Sequence, residues 1–284
     1  MVSKLNNSWP LMVCFSSGKG GVGKTSLALN TAMCIAQKNR SVLVVDGDLG
    51  LANIDVMLGL SVETTIKDVL AYGGDPLSAV VYPEPNLGIL PASSGVPELV
   101  TFDVDKQYLL AETLKFIATH FELVIVDTAA GIGPSVLWFN SFVHKNVVIL
   151  TPDPTSITDA YALMKVLSQR YQKKFFHILI NQVTGKKEAK KIFEGLAKVC
   201  ERFLRIRLEF LGLIPKDQLM SKAIKEQVPV IRLAPDSNIA KSIDKFADKI
   251  VLWSKTDLSN SNNSTNILSN NKNNIELPYE LRHF

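Results

Sequence analysis

The chain has 284 residues, 46% of them hydrophobic, a formal net charge of +4 and a pI of about 8.8. That length holds one or two domains with a sizeable core, and so mild a basicity does not require nucleic acid or an anionic membrane as partner. Cys14, Cys34 and Cys200 are scattered, as are His120, His144, His177 and His283, which excludes a disulfide framework and any metal or iron–sulfur centre built on paired Cys or clustered His, and points to a reducing cytosol. No apolar run reaches the roughly 18 residues needed to span a bilayer, and the polar segment 1–10 has no secretory pattern, so a cytoplasmic protein is expected.

The apolar run 11–15 predicts a strand and the run 27–37 a helix. Between them stands Ser17-Gly18-Lys19-Gly20-Gly21-Val22-Gly23-Lys24-Thr25-Ser26. Strand, glycine-rich turn and helix start form a phosphate-binding arrangement, and G-x-x-x-x-G-K-[ST] is complete. Gly18, Gly20, Gly21 and Gly23 let the backbone come close to a ligand. The amides of 18–26, Val22 and Ser26 included, then cradle polyphosphate at the helix N-terminus. Lys24 reaches the β- and γ-phosphates, and the Thr25 hydroxyl ligates Mg²⁺.

Lys19 fills the second loop position, where a P-loop accepts almost any residue. The form G-K-G-G-V-G-K-T at 18–25 resembles the deviant Walker A motif of the MinD/ParA ATPases. The resemblance implies ATP and Mg²⁺ as cofactors and an ATP-dependent homodimer. It also implies that Lys19 crosses the interface to the nucleotide of the second copy.

The β-branched run 42–45 predicts a buried parallel strand. It ends in Asp46-Gly47-Asp48, at the strand end where α/β folds place ligand chemistry. One carboxylate is expected to position the water shell of Mg²⁺ and the other the attacking water; an acidic turn or cap is the alternative. The run D-G-D-L-G-L-A-N-I-D-V-M-L-G-L at 46–60 is similar to the flagellar-number regulators of the MinD branch, FlhG and FleN. A short helix over 63–72, a turn at 73–76 and a strand at 87–90 follow. P-A-S-S-G at 91–95 is again similar to those regulators. Leu109, Leu110, Leu114 and Ile117 predict a helix over 105–119. The apolar strand 123–127 ends in Asp127, a Walker B shape that sets this carboxylate beside Mg²⁺, directly or through water. The small-residue loop 128–133 suits a switch near the γ-phosphate. MinD has an acidic residue shortly after this loop; here Gly133-Pro134 stands there.

Strand 147–151 runs into P-D-P-T-S-I-T-D-A-Y-A-L, also similar to the flagellar regulators, with Ser156 or Thr158 expected to cap a helix that reaches 170. Strand 175–180 ends at Asn181, and strand 210–214 at Pro215-Lys216-Asp217. The resemblance implies that Asn181 recognises adenine, whose edge its amide can meet as donor and acceptor. It implies that the backbone at Pro215, Lys216 and Asp217 closes over the base. The stretch 170–207 holds eleven Lys or Arg against three Glu. Ile192, Leu196, Val199 or Cys200, and Phe203 recur there at helical spacing, giving an amphipathic helix with a basic outer face. That face is either simply solvated or meets DNA, lipid phosphate or an acidic partner. Ile239, Ile243, Phe246, Ile250 and Trp253 predict a closing core helix or a membrane-surface helix. The Asn/Ser tract 254–274 cannot offset ordering entropy by burial and is expected to be disordered. The end, 275–284, has apolar residues around Pro278 and is not read as an anchor. The expected division is thus a nucleotide-binding domain at 1–253 and a tail at 254–284.

Strands alternating with helices from 11 to 253 predict one α/β domain with a doubly wound, mostly parallel sheet. The resemblance makes it a P-loop ATPase with Lys19, Lys24 and Asp48 in catalytic roles and Thr25, Asp46 and Asp127 around Mg²⁺. It implies control of flagellar number and placement, with a flagellar transcription activator (FleQ-like) and a flagellar signal-recognition-type GTPase (FlhF-like) as partners and peripheral contact with the inner face of the cell membrane. Direct DNA binding is not expected. About ten residues precede the first strand, fewer than a usual helix, so restraint of the activator is expected rather than stimulation of the GTPase. A MinD-like division-site ATPase and a ParA-like DNA-segregation ATPase are the alternatives.

Overall fold

Strands and helices alternate along almost the whole chain. The computed structural model describes residues 10–48, 54–92 and 104–264. The elements are β1 (Leu11–Ser17), α1 (Lys24–Gln37), β2 (Val42–Gly47), α2 (Ile54–Leu58), α3 (Ile66–Tyr72), a 3-10 turn (Pro76–Ala79), β3 (Val81–Glu84) and β4 (Leu87–Leu90). There follow α4 (Val104–Ala118), β5 (Leu123–Ala130), α5 (Pro134–Phe142), β6 (Lys145–Leu150), α6 (Pro154–Arg170), β7 (Phe175–Val183) and α7 (Lys186–Leu204). The chain closes with β8 (Arg207–Pro215), α8 (Gln218–Lys225), α9 (Val230–Leu233) and α10 (Asn238–Ser264).

Among the described residues one sheet runs β3-β4-β2-β5-β1-β6-β7-β8. Every pairing is parallel except that of β3 with β4. The antiparallel β3 has no apolar run to announce it. It exists because Asn86, at φ 65°, turns the chain back tightly enough for Glu84 to face Leu87, a left-handed position that Asn tolerates.

β1 shows why the interior strands are apolar throughout. Leu11, Val13 and Phe15 enter one core, with α1 and α10. Met12 and Cys14 point the other way, into a second core with α4 and α5. A sheet covered on both faces needs apolar side chains on both. A third core joins β6 and β7 to α6 and the inner stripe of α7. Within α10, Ile239, Ile243, Phe246 and Ile250 are buried, so this is a core helix.

Several boundaries differ from the expectation: β5 runs past Asp127 to Ala130, through the first half of the expected loop 128–133, β7 runs on to Val183, and β8 begins already at Arg207. α10 continues to Ser264, so 254–264 is helical where composition suggested disorder. Ser254 is buried, donates to the Val251 carbonyl and accepts from Arg40. The body of this helix packs against α1 and β8. The segments 49–53, 93–103 and 265–284, which include expected motifs and most of the tail, lie outside the described residues.

Candidate nucleotide site

β1, β2 and β5 end side by side, with Asp127 in register with both Asp46 and Phe15. The loop after β1 turns through Gly21 (φ 75°) and Gly23 (φ 88°) into α1. No side chain caps α1 and its first turn holds no acid. Its orphan amides and positive dipole end are therefore open to an anion. Gly18 is required by a neighbour: a Cβ there would lie 2.1 Å from the backbone carbon of Asp159. The first turns of α6 thus press directly on the loop.

Lys24 and Asp127 are both buried, 9% and 0% exposed, with Nζ 3.6 Å from Oδ1. Neither Asp127 oxygen has a hydrogen-bond partner of normal geometry among the described residues. Burial pushes this carboxyl up, opposed first by the Lys24 charge and then by the Thr25 hydroxyl beside it, while the Asp48 carboxylate adds to the push. An unsatisfied buried carboxylate costs free energy, and a divalent cation is the group that would satisfy it. Asp46, 2% exposed, accepts from the amides of Asp48 and Ile54. That fixes the turn that carries Asp48. Among the described residues no three His, Cys, Asp or Glu side chains form a ready cage. Mg²⁺ takes one or two carboxylates plus phosphate oxygens and waters. Thr25, Asp46 and Asp127 are the residues that would hold it.

Lys19 meets the N-terminus of α6. Its Nζ donates to Asp153 Oδ2 and Thr155 Oγ1, each at 2.5 Å. The Lys19 ammonium, with the Thr155 amide and hydroxyl, holds the Asp153 carboxyl down at about 2. Asp153 also caps α6 by accepting from the Thr155 amide. The expected caps do other work: Ser156 accepts from the Thr151 amide and Thr158 donates to the Pro154 carbonyl. Asp followed by Pro at the first helical position was the signal for this cap, but nothing in it names Lys19.

Asn181 lies beneath the loop, 6% exposed. Its Nδ2 donates to the Val22 carbonyl at 2.7 Å, and its Oδ1 accepts from the Gln182 amide. The expected base-reading amide here braces the P-loop. Pro215 pairs in register with Val183, the Lys216 amide donates to the Val183 carbonyl, and Asp217 caps α8. Residues 215–217 and Asn181 therefore sit at adjoining strand ends. Gly20, Gly21 and Val22 complete the turn, and Ser26 is buried in the first turn of α1.

A parallel sheet whose first strand feeds a glycine-rich turn and an uncapped helix, with a buried lysine and aspartate at the strand ends, defines a P-loop NTPase. Residues 13–230 match the family described as CobQ/CobB/MinD/ParA nucleotide binding domain, and the chain belongs to it as a MinD/ParA-type ATPase. It is 35% identical over 242 residues to the antiactivator FleN of Pseudomonas aeruginosa, covering 85% of this chain and 86% of that one. To the flagellum site-determining protein YlxH of Helicobacter pylori it is 31% identical over 246 residues, covering 84% and 81%. The septum site-determining protein MinD of Pyrococcus horikoshii, solved with Mg-ADP, shares the fold at TM-score 0.67 and 22% identity over 85% of this chain and 96% of that one. ATP with Mg²⁺ is the pair this site serves. No helix of the described residues is long and apolar enough to cross a membrane.

Proposed function

We propose that the chain is an ATP-timed dimeric switch that limits flagellar number and placement by restraining a flagellar transcription activator. The observation that carries this reading is the 35% identity to an antiactivator across 85% of the chain. The P-loop amides and Lys24 hold the triphosphate, and Thr25, Asp46 and Asp127 hold Mg²⁺ with its waters. Mg²⁺ held there would offset the negative charge of the triphosphate. Asp48, on the turn fixed by Asp46, orients the attacking water. Lys19 moves from Asp153 and Thr155 to the phosphates of a second copy, as a finger residue does, so dimer formation competes with the contact inside each chain. Asn181 faces the base only after releasing Val22. A flagellar signal-recognition-type GTPase and the inner face of the membrane are further contacts of this reading.

The test uses Asp48→Ala, which binds ATP without turning it over. Light scattering with ATP and Mg²⁺ is expected to give a lasting dimer, and an extract pull-down with that dimer to capture the flagellar activator. A monomer under these conditions overturns the switch. Capture of a division inhibitor or of bulk DNA instead keeps the switch and replaces its client.

A further inference from the structure

Helix α7 is amphipathic, yet part of its apolar surface is exposed among the described residues, with the Arg202 guanidinium lying over the ring of Phe203. Leu196 and Cys200 are buried, whereas Val199 and Phe203 are 43% and 64% exposed. At its C-terminal end the chain passes through Arg205 in left-handed backbone and enters β8. A cleft of about 730 Å³ opens there, with apolar surface from Phe175, Ile206 and Leu208 and cations from Lys174, Arg205 and Arg207. Glu201 is the acid of the lining. The guanidinium groups of Arg205 and Arg207 have no ion pair or hydrogen bond among the described residues. Phe175 and Arg207 are the first residues of β7 and β8, so the cleft lies at the end of the sheet away from the P-loop. A surface both cationic and apolar fits an occupant both anionic and apolar.

The chain carries such a segment beyond the described residues: Ile275-Glu276-Leu277-Pro278-Tyr279-Glu280-Leu281. The fold delivers its tether to the cleft. Trp253 of α10 packs on His177 with ring centroids 4.3 Å apart, and His177 meets Phe175, a wall of the cleft, edge-on at 4.9 Å. From Trp253 to the end of α10 at Ser264 the helix rises about 17 Å at 1.5 Å per residue. The roughly ten residues from there to Ile275 reach up to about 33 Å, enough to return. A tether of that length keeps the segment at an effective concentration on the order of millimolar.

We propose that the cleft between the C-terminal end of α7 and the starts of β7 and β8 receives the chain's own acidic, apolar segment Ile275–Leu281. Glu276 and Glu280 pair with Arg205 and Arg207, and the intervening apolar side chains cover Phe175 and Leu208. Any anionic partner of this face then has to displace the tail. The test is independent of nucleotide, so its failure leaves the ATP switch standing.

Full-length chain with a benzophenone amino acid in place of Tyr279 is irradiated, digested and read by mass spectrometry. Cross-links are expected to peptides holding residues 174–175 or 205–208. Their yield should fall about tenfold, the effect of roughly 1.4 kcal/mol, in Glu276→Arg/Glu280→Arg, and return when Arg205→Glu/Arg207→Glu is added. The tail variant alone lies outside the described fold, so it reads the contact even if the cleft variant fails to fold. Cross-links elsewhere, none at all, or a yield indifferent to charge reversal overturn the proposal. In a mixture of isotopically heavy and light chains, mixed-mass cross-links overturn its intramolecular form and assign the segment to a second copy.

Discussion

Gly18 and Gly20 stand two residues apart in one loop, and the structure sets them opposite fates. A Cβ on Gly18 would lie 2.1 Å from the Asp159 carbon and 2.2 Å from its oxygen, whereas a Cβ on Gly20 meets nothing within 4 Å. Ordinary contact begins near 3.4 Å, so Gly18→Ala must move the α6 backbone by about 1.3 Å, and no rotamer can relieve the clash. Overpacking of this kind costs about 1–3 kcal/mol or more. At about 2–4 °C per kcal/mol for a domain of this size, the melting temperature should fall by about 2–12 °C. Gly20 has no left-handed φ, so Gly20→Ala should lie between neutral and about 1 kcal/mol stabilising, because it narrows the unfolded ensemble. Calorimetric and urea unfolding without nucleotide measure both variants. ATP binding to Gly18→Ala should also weaken, because the clash displaces the loop whose amides cradle the phosphates. Equal stability of the two variants, or a Gly18→Ala protein as stable as the parent, would refute the close approach of α6 to the loop.

His177 is 2% exposed, its Nδ1 3.4 Å from Glu209 Oε2 without a hydrogen bond of normal geometry, and burial followed by the Lys145 charge outweighs that carboxylate and pulls the ring from 6.5 down to about 4. Below pH 6.5 the unfolded chain takes up the proton first. Stability is therefore undiminished above 6.5 and declines toward 4, by about 3 kcal/mol in all at 1.36 kcal/mol per unit. Urea unfolding at pH 7 and pH 4.5 should show this loss in the parent and a smaller one in His177→Phe, which keeps the ring stack on Trp253; parallel losses count against it. Asn181→Ala should cost about 1–2 kcal/mol through the lost bond to Val22, measured by the same unfolding without nucleotide. If Asn181 also reads the base, competition binding should show a narrowed preference for ATP over GTP.

The parts of the site legible in the sequence are those set by local chain geometry. The P-loop is one uninterrupted motif, and Asp127 follows directly on an apolar run within β5, so both can be read from their neighbours. What brings Lys19 to Asp153 is the order β5-β1-β6 in the sheet, a pairing across 134 residues that no local pattern encodes. The cap of α6 was assigned to the wrong side chains because Ser and Thr compete with Asp for that position. The antiparallel β3 was invisible because its residues are half-exposed and rest on a turn rather than on apolar content. The last turns of α10 were missed for the converse reason. Composition there argues against order, while the body of the helix is anchored by its contacts with α1 and β8.

The buried, loosely paired carboxylate of Asp127 has a consequence for the lifetime of the molecule. Lys24 meets it only at 3.6 Å, so a ligand that binds between them adds its binding free energy to the stability of the strands on either side. Molecules that have just discharged their nucleotide are thus the frailest in the population, and proteases that feed on transient opening meet them first. The abundance of the protein is expected to follow the cell's energy supply, even with its synthesis held constant.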